Sequence, residues 1–177
     1  PYCALQVYEG DRERFLLALF VPEAQRASFY ALYALNVELM RVRSNVSEEM
    51  IGHIRYAWWY EKIEGLYAGQ QVGGHPVLEE LMPLIQSGYL PQPQMLALAE
   101  TYRAHYPEAP HDALARLDML SLTLIRNICP QAEAGWTKAN AIIHRHRERY
   151  GIGRRGWLAL RLLLSGFISK KESAQLR

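Results

Sequence analysis

The chain has 177 residues, of which 50% are hydrophobic and 21% are charged. This composition excludes a disordered chain and supports one substantial core, so we expect a single domain over 1–177. The net charge is only +2, but residues 138–177 hold ten Lys and Arg against two Glu, which makes the C-terminal end the basic part of the chain.

The residue types favour helix over strand. Leu, Ala, Glu, Arg and Gln are abundant, whereas runs rich in Val, Ile and Thr are scarce. Apolar residues recur at helical spacing, and no period of about 20–50 residues indicates a solenoid. The sequence therefore predicts an all-α helical bundle.

The first predicted helix covers 11–20, with Asp11 as its N-cap. The second runs from Pro22 to about Arg43 and places Asn36 and Met40 on a broad apolar face. The third covers about 47–68 and is predicted to be capped by Ser47. Further helices are expected at 76–87, 94–106, 112–128, about 134–150 and 156–168.

Cysteine use and hydropathy bear on the compartment. Cys3 and Cys129 lie far apart and match no metal or redox spacing, so reduced thiols in a cytosol-like compartment are expected. No apolar run approaches the roughly 20 residues that a membrane span needs, and the strongest, WLALRLLLSGFI at 157–168, contains Arg161. The chain begins at Pro1 without Met, so targeting signals are unreadable at that end.

Three stretches carry a family resemblance. FLLALFVPEAQRASFYALYALNVELMRVR, then VSEEMIGHIRYAWWYEKIEGLYAG and HPVLEEL, resemble the squalene and phytoene synthase family. The resemblance covers roughly residues 10–82 and is strongest to the branch related to a mitochondrial respiratory complex I assembly factor. It implies the all-α isoprenoid synthase fold and an activity that joins two prenyl diphosphates head to head. The chain is short for this family, so the bundle is either truncated or continues outside this sequence.

The resemblance also implies a metal site, which this sequence does not match. In catalytic members, aspartates at i, i+1 and i+4 hold Mg²⁺, a hard ion that prefers oxygen ligands. The corresponding positions here are Met40, Arg41 and Ser44, none of which is a carboxylate. A second aspartate-rich helix is not recognisable between Asp118 and Trp136. The sequence therefore predicts no metal and no cofactor, with Mg²⁺ required only if the enzyme alternative holds.

Two glutamates are weak alternative metal candidates. Glu61 and Glu64 stand at i, i+3 on the third predicted helix, a spacing that allows a shared ligand. Glutamates beside Lys62 are more often part of a solvated helix face. The solvated face is the favoured interpretation.

A ligand pocket is predicted along the second and third helices. Arg41 and Arg55 can bind a diphosphate without metal, although surface pairing with glutamates is the alternative. Asn36 either lines the pocket or is a core amide with internal partners. Trp59 is predicted to point inward and Trp58 sideways. The full set is Tyr33, Asn36, Met40, Arg41, Ser44, Arg55 and Trp59.

The basic C-terminal part suggests a surface contact. Residues 144–171 combine arginines and lysines with the apolar 157–168 run, which suits an anionic membrane surface; a packed final helix is the alternative. His144 and His146 diverge on a helix and form no metal pattern. No nucleic-acid motif accompanies the charge, so nucleic acid is not an expected partner.

Three functions remain open. The favoured one is a non-catalytic binding or respiratory-complex assembly factor with a prenyl diphosphate or lipid pocket and a protein partner. The second is a Mg²⁺-dependent head-to-head prenyl diphosphate synthase whose second aspartate-rich motif lies outside this sequence. The third is a peripheral membrane interaction module. The expected location is cytoplasmic or mitochondrial-matrix-like, with peripheral membrane contact.

Overall fold

A computed structural model describes residues 2–70 and 73–150, and over these residues the protein is all-α, without a strand. The fold-class prediction is confirmed. Two 3-10 turns, Glu23–Gln25 and Pro130–Ala132, precede α3 and α8. The α-helices are α1 Tyr2–Gly10, α2 Arg12–Ala18, α3 Arg26–Asn45, α4 Glu49–Tyr67, α5 Pro76–Gln86, α6 Gln92–His105, α7 Ala113–Ile128 and α8 Glu133–Tyr150.

Helix α3 is the centre of the bundle. It packs against α1, α2, α4, α5, α6 and α7, and its middle turns, residues 29–39, are apolar around most of their circumference. A helix that is apolar on nearly all sides has to be buried by neighbours. Phe29, Leu32, Leu35 and Leu39 accordingly have no exposed surface. Helix α3 therefore fixes the positions of most predicted site residues.

Of the first three predicted helix starts, one is confirmed and two are wrong. Helix α2 begins after Asp11, whose carboxylate accepts a hydrogen bond from the Arg14 backbone N–H at 3.1 Å, so this cap is confirmed. The Ser47 cap is wrong, because α4 begins at Glu49 and the chain is still extended at Glu48. The second predicted helix begins at Arg26 rather than Pro22, since a 3-10 turn intervenes.

Glycines end two helices. Gly69 follows α4 with a φ of 74°, and Gly88 follows α5 with a φ of 71°. This left-handed conformation is costly for residues with a side chain and common just past a helix end. The predicted helix 156–168 lies outside the described residues.

Within residues 2–70 and 73–150, no helix has both the length and the apolar character that a bilayer crossing requires.

Candidate functional site

The face of α3 that the resemblance associates with metal binding is polar and partly open to solvent. Met40 is 43% exposed, and Ser44 is exposed and donates a hydrogen bond to the Arg41 carbonyl at 3.2 Å. The Arg41 guanidinium donates to the Gln6 side chain and lies 3.4 Å from a Glu38 carboxylate oxygen. Arg41 is therefore occupied by neighbours on α1 and α3, and no metal-binding group of His, Cys, Asp or Glu occurs among the described residues.

Asn36 is a core amide. Its Oδ1 accepts a hydrogen bond from the Tyr102 hydroxyl at 2.8 Å, and its Nδ2 lies 3.4 Å from the Met40 sulfur. Asn36 has no exposed surface, so these contacts satisfy a group that would otherwise be costly to bury. Met40 was predicted on the buried face, but it lies at the rim of the core, because α3 reaches solvent near its C-terminal end.

Tyr33 and Trp59 are both buried in the core, and each contacts different neighbours. The Tyr33 hydroxyl accepts a hydrogen bond from Trp136 Nε1 at 3.2 Å. Trp59 packs edge-on against His75, with ring centres 4.8 Å apart. Trp58 lies beside it and is 39% exposed, as predicted.

The other predicted groups lie on the surface. Arg55 is exposed and forms no ion pair with the residues that the structure describes. Glu61 and Glu64 are exposed on α4, which agrees with the solvated-face interpretation. The structure thus brings Asn36 next to Met40 and Arg41 next to Ser44.

A buried ionic network joins α2, α7 and α8. Arg14 is 2% exposed and forms an ion pair with Asp118. The second Asp118 oxygen lies 3.0 Å from Asn140 Nδ2, which donates to it, and 2.9 Å from His144 Nε2. A second pair, Arg147 with Glu13, adds another link between α8 and α2. The network holds the last described helix onto the bundle.

The charges in this network compensate one another. Burial alone would lower the pKa of Arg14, but its neighbours, the Asp118 carboxylate first among them, outweigh burial and raise it. Arg14 is therefore charged, and Asp118 is the carboxylate that balances it. Because Asp118 is occupied by Arg14, Asn140 and His144, it is not available as a metal ligand without disrupting the interface.

Sequence reasoning missed this network. One local signal was available: Arg14 lies three and four residues before the buried Leu17 and Ala18, so a cation stands on the apolar face of its helix. Its partner Asp118 follows more than 100 positions later, and no spacing in the sequence connects the two.

The buried phenols act as neutral hydrogen-bond groups. Burial raises the pKa of Tyr56 to about 12, and the Tyr56 hydroxyl donates to the Leu39 carbonyl at 3.0 Å. Burial also raises the pKa of Tyr33 and Tyr102. A general acid or base works best with a pKa near the operating pH, so these tyrosines are suited to structure rather than proton transfer.

An apolar depression of about 480 Å³ lies on the outer side of α1 and α2. Tyr2, Ala4, Leu5, Tyr8 and Phe15 line it, and none of the seven predicted pocket residues does. Tyr8 and Phe15 meet edge to face with ring centres 5.2 Å apart, which fixes one wall of the depression.

Comparisons with known proteins identify the family. The sequence pattern described as squalene/phytoene synthase matches residues 7–119. The NADH dehydrogenase (ubiquinone) complex I assembly factor 6 of Homo sapiens is 39% identical over 66 residues, which are 37% of this chain and 20% of that protein. The protein of the same name from Mus musculus is 26% identical over 117 residues, 66% of this chain and 35% of that protein.

The matched regions therefore span between about one fifth and about one third of the relatives' own length. No solved structure matches the chain significantly. The family pattern extends from α1 into α7, over more than half of the residues. On this evidence, the chain belongs to the squalene/phytoene synthase family.

Proposed function

We propose that this chain is a non-catalytic member of its family and serves as a binding factor in the assembly of the respiratory NADH dehydrogenase complex. The assembly role is supported by the similarity to proteins named as assembly factors of this complex. The absence of chemistry is supported by one observation above all. Met40, Arg41 and Ser44, none of which is a carboxylate, occupy the positions that the family resemblance assigns to the aspartates of catalytic members.

The physical reason is electrostatic. A departing diphosphate concentrates negative charge, which Mg²⁺ held by carboxylates neutralises in the catalytic members. A thioether and a lone hydroxyl are poor Mg²⁺ ligands, and an arginine repels the ion. Arg41 is also engaged by Gln6 and Glu38. This surface is suited to binding, not to ionisation of a prenyl diphosphate.

A lipid- or prenyl-binding role is a second candidate, favoured by the apolar depression on α1 and α2. Its lining is nearly devoid of charge, so it fits a hydrocarbon chain better than a diphosphate head. In the assembly role, the protein would act in the mitochondrial matrix or on a membrane surface that borders it.

Deletion of the gene in the organism that encodes it tests the proposal. We expect less fully assembled NADH dehydrogenase complex on blue native gels and lower NADH:ubiquinone reductase activity, both restored by the intact gene. Succinate dehydrogenase activity is the control and should not change. An unchanged NADH dehydrogenase complex, with loss of a prenyl product instead, would refute the proposal.

A further inference from the structure

Helix α4 carries an apolar stripe on its outer face. Met50, Ile54 and Trp58 are 70%, 60% and 39% exposed, and Ile51 beside them is exposed as well. A spacing of four residues places these side chains in one row, about 12 Å long at 1.5 Å per residue. The opposite face of α4 packs into the core through Tyr56, Trp59 and Ile63.

A helix that is apolar on both faces is normally covered on both. In the described part of the chain, only the inner face of α4 is covered. Contiguous exposed apolar side chains of this kind mark interaction sites on soluble proteins.

Basic residues flank one edge of the stripe. Arg55 and Lys62 stand seven residues apart, so they lie along the same edge of α4. The Lys62 ammonium lies 5.7 Å from the centre of the Trp58 ring, where a cation holds the indole in place. Arg55 is exposed and forms no ion pair within the described chain, so it is available to an incoming carboxylate.

We propose that this stripe binds an amphipathic helix of a partner protein, whose apolar residues cover Met50, Ile54 and Trp58. Acidic residues along one edge of that helix face Arg55 and Lys62. The proposal rests on the proposed assembly function and names the surface that this function uses. Burial of one helix face in an apolar strip is a common mode of protein recognition.

A membrane fits this surface less well than a helix. Glu49 and Glu61 are exposed on α4, and Glu61 lies seven residues after Ile54, in line with the stripe. Carboxylates in that position are repelled by an anionic leaflet. The apolar stripe is narrow, with a basic edge formed by Arg55 and Lys62 and an acidic end formed by Glu61. Such a surface matches a partner helix that carries a complementary charge pattern.

A second copy of the chain also fits less well. Antiparallel pairing of α4 across a two-fold axis brings the Arg55 and Lys62 edge against the same edge of the copy. Parallel pairing brings Glu61 close to its own counterpart. Both arrangements juxtapose like charges, which opposes self-association.

The test uses defined synthetic helices and the full chain. One fluorescent peptide of about 18 residues, or five turns, carries Leu in a single row and Glu along one edge; its partner carries Lys in place of Glu. We expect fluorescence anisotropy to show binding of the Glu peptide and binding of the Lys peptide about tenfold weaker. Charge reversal at both Arg55→Glu and Lys62→Glu should invert this preference.

Substitutions in the stripe should weaken binding strongly. Ile54→Glu and Trp58→Ala are each expected to reduce the affinity for the Glu peptide by about 30-fold, the scale of a buried anchor residue. The matched control is Met119→Glu, since Met119 is a 58% exposed apolar residue on α7, outside the stripe. It should leave binding unchanged, and circular dichroism and melting should confirm that all variants fold.

Four results would overturn the proposal. The first is equal binding of both peptides, and the second is a dimer in sedimentation that Ile54→Glu dissociates. The third is co-flotation with phosphatidylcholine–phosphatidylserine vesicles that Ile54→Glu abolishes. The fourth is a melting temperature of the Ile54→Glu variant, without any peptide, that is lower than that of the unchanged chain. The last result would show that the stripe packs within the chain itself.

The deletion strain separates this proposal from the assembly function. If deletion lowers the NADH dehydrogenase complex and Ile54→Glu restores it fully, the stripe proposal fails while the assembly function stands. If deletion leaves the complex unchanged, the assembly function fails, and the peptide preference alone then decides whether the stripe binds helices.

Discussion

Removal of the Asp118 carboxylate probes the buried network most directly. In Asp118→Ala, Arg14 keeps its charge at 2% exposure and loses its counter-charge. Breaking a buried pair in this way costs about 3–5 kcal/mol of unfolding free energy, because an uncompensated charge remains inside. Asn140 and His144 lose a hydrogen-bond partner in the same step.

Urea unfolding followed by circular dichroism measures this loss. With a slope of about 2 kcal/mol per molar urea for a domain of this size, the midpoint should fall by about 1.5–2.5 M. The control is Glu133→Ala, which breaks the surface pair between Glu133 and Arg126 and should shift the midpoint far less. The double variant Arg14→Met with Asp118→Leu should regain most of the stability, since apolar side chains can replace a buried pair.

Equal midpoint shifts for Asp118→Ala and Glu133→Ala would refute this reasoning. That result would mean that water reaches the Arg14 guanidinium and solvates its charge when the Asp118 carboxylate is removed.

Two further predictions concern the core. Tyr102→Phe leaves the buried Asn36 side-chain carbonyl without its hydrogen-bond donor. It should lower the free energy of unfolding by about 1–3 kcal/mol in the same urea assay, and an unchanged midpoint would contradict a buried hydrogen bond at Asn36. Burial, reinforced by Glu80, raises the pKa of Cys3 to about 12, so the folded state keeps a proton that the unfolded state releases near pH 9. The free energy of unfolding should therefore fall as the pH rises from about 9 towards 12, and it should fall less in Cys3→Ser. Equal slopes of unfolding free energy against pH in the two proteins would contradict the raised pKa of Cys3.

The helices were largely predictable because their signals are local. A period of 3.6 residues, a proline at a first turn and a glycine after a last turn act over a few neighbours. Helix α1 was not predicted, since nine residues give little more than two turns of pattern. The start of α4 depends on how the chain leaves α3, and Ser47, although a good cap by type, lies outside that start.

The environment of each site residue was less predictable because it depends on distant partners. Asn36 is satisfied by Tyr102, which lies 66 positions later. Tyr33 meets Trp136 at a separation of 103 positions. The sequence indicated that these groups are polar and lie on an apolar helix, which left pocket and core open as alternatives. Only the hydrogen bonds from Tyr102 on α6 and Trp136 on α8 distinguish them.

The chemistry of α3, in contrast, was readable from residue types. Whether a helix face can hold Mg²⁺ depends first on the presence of oxygen ligands, and Met40, Arg41 and Ser44 do not supply carboxylates whatever their packing. The structure adds that the Arg41 guanidinium is engaged by Gln6 and Glu38.

The most direct test of the central claim is product formation with Mg²⁺ and farnesyl or geranylgeranyl diphosphate. The full chain is incubated with each substrate, and mass spectrometry follows prenyl products while a coupled assay follows diphosphate release. We expect neither a coupled product nor Mg²⁺-dependent release of diphosphate. A head-to-head product that requires Mg²⁺ and disappears on substitution of Arg41 and Asn36 would contradict the account.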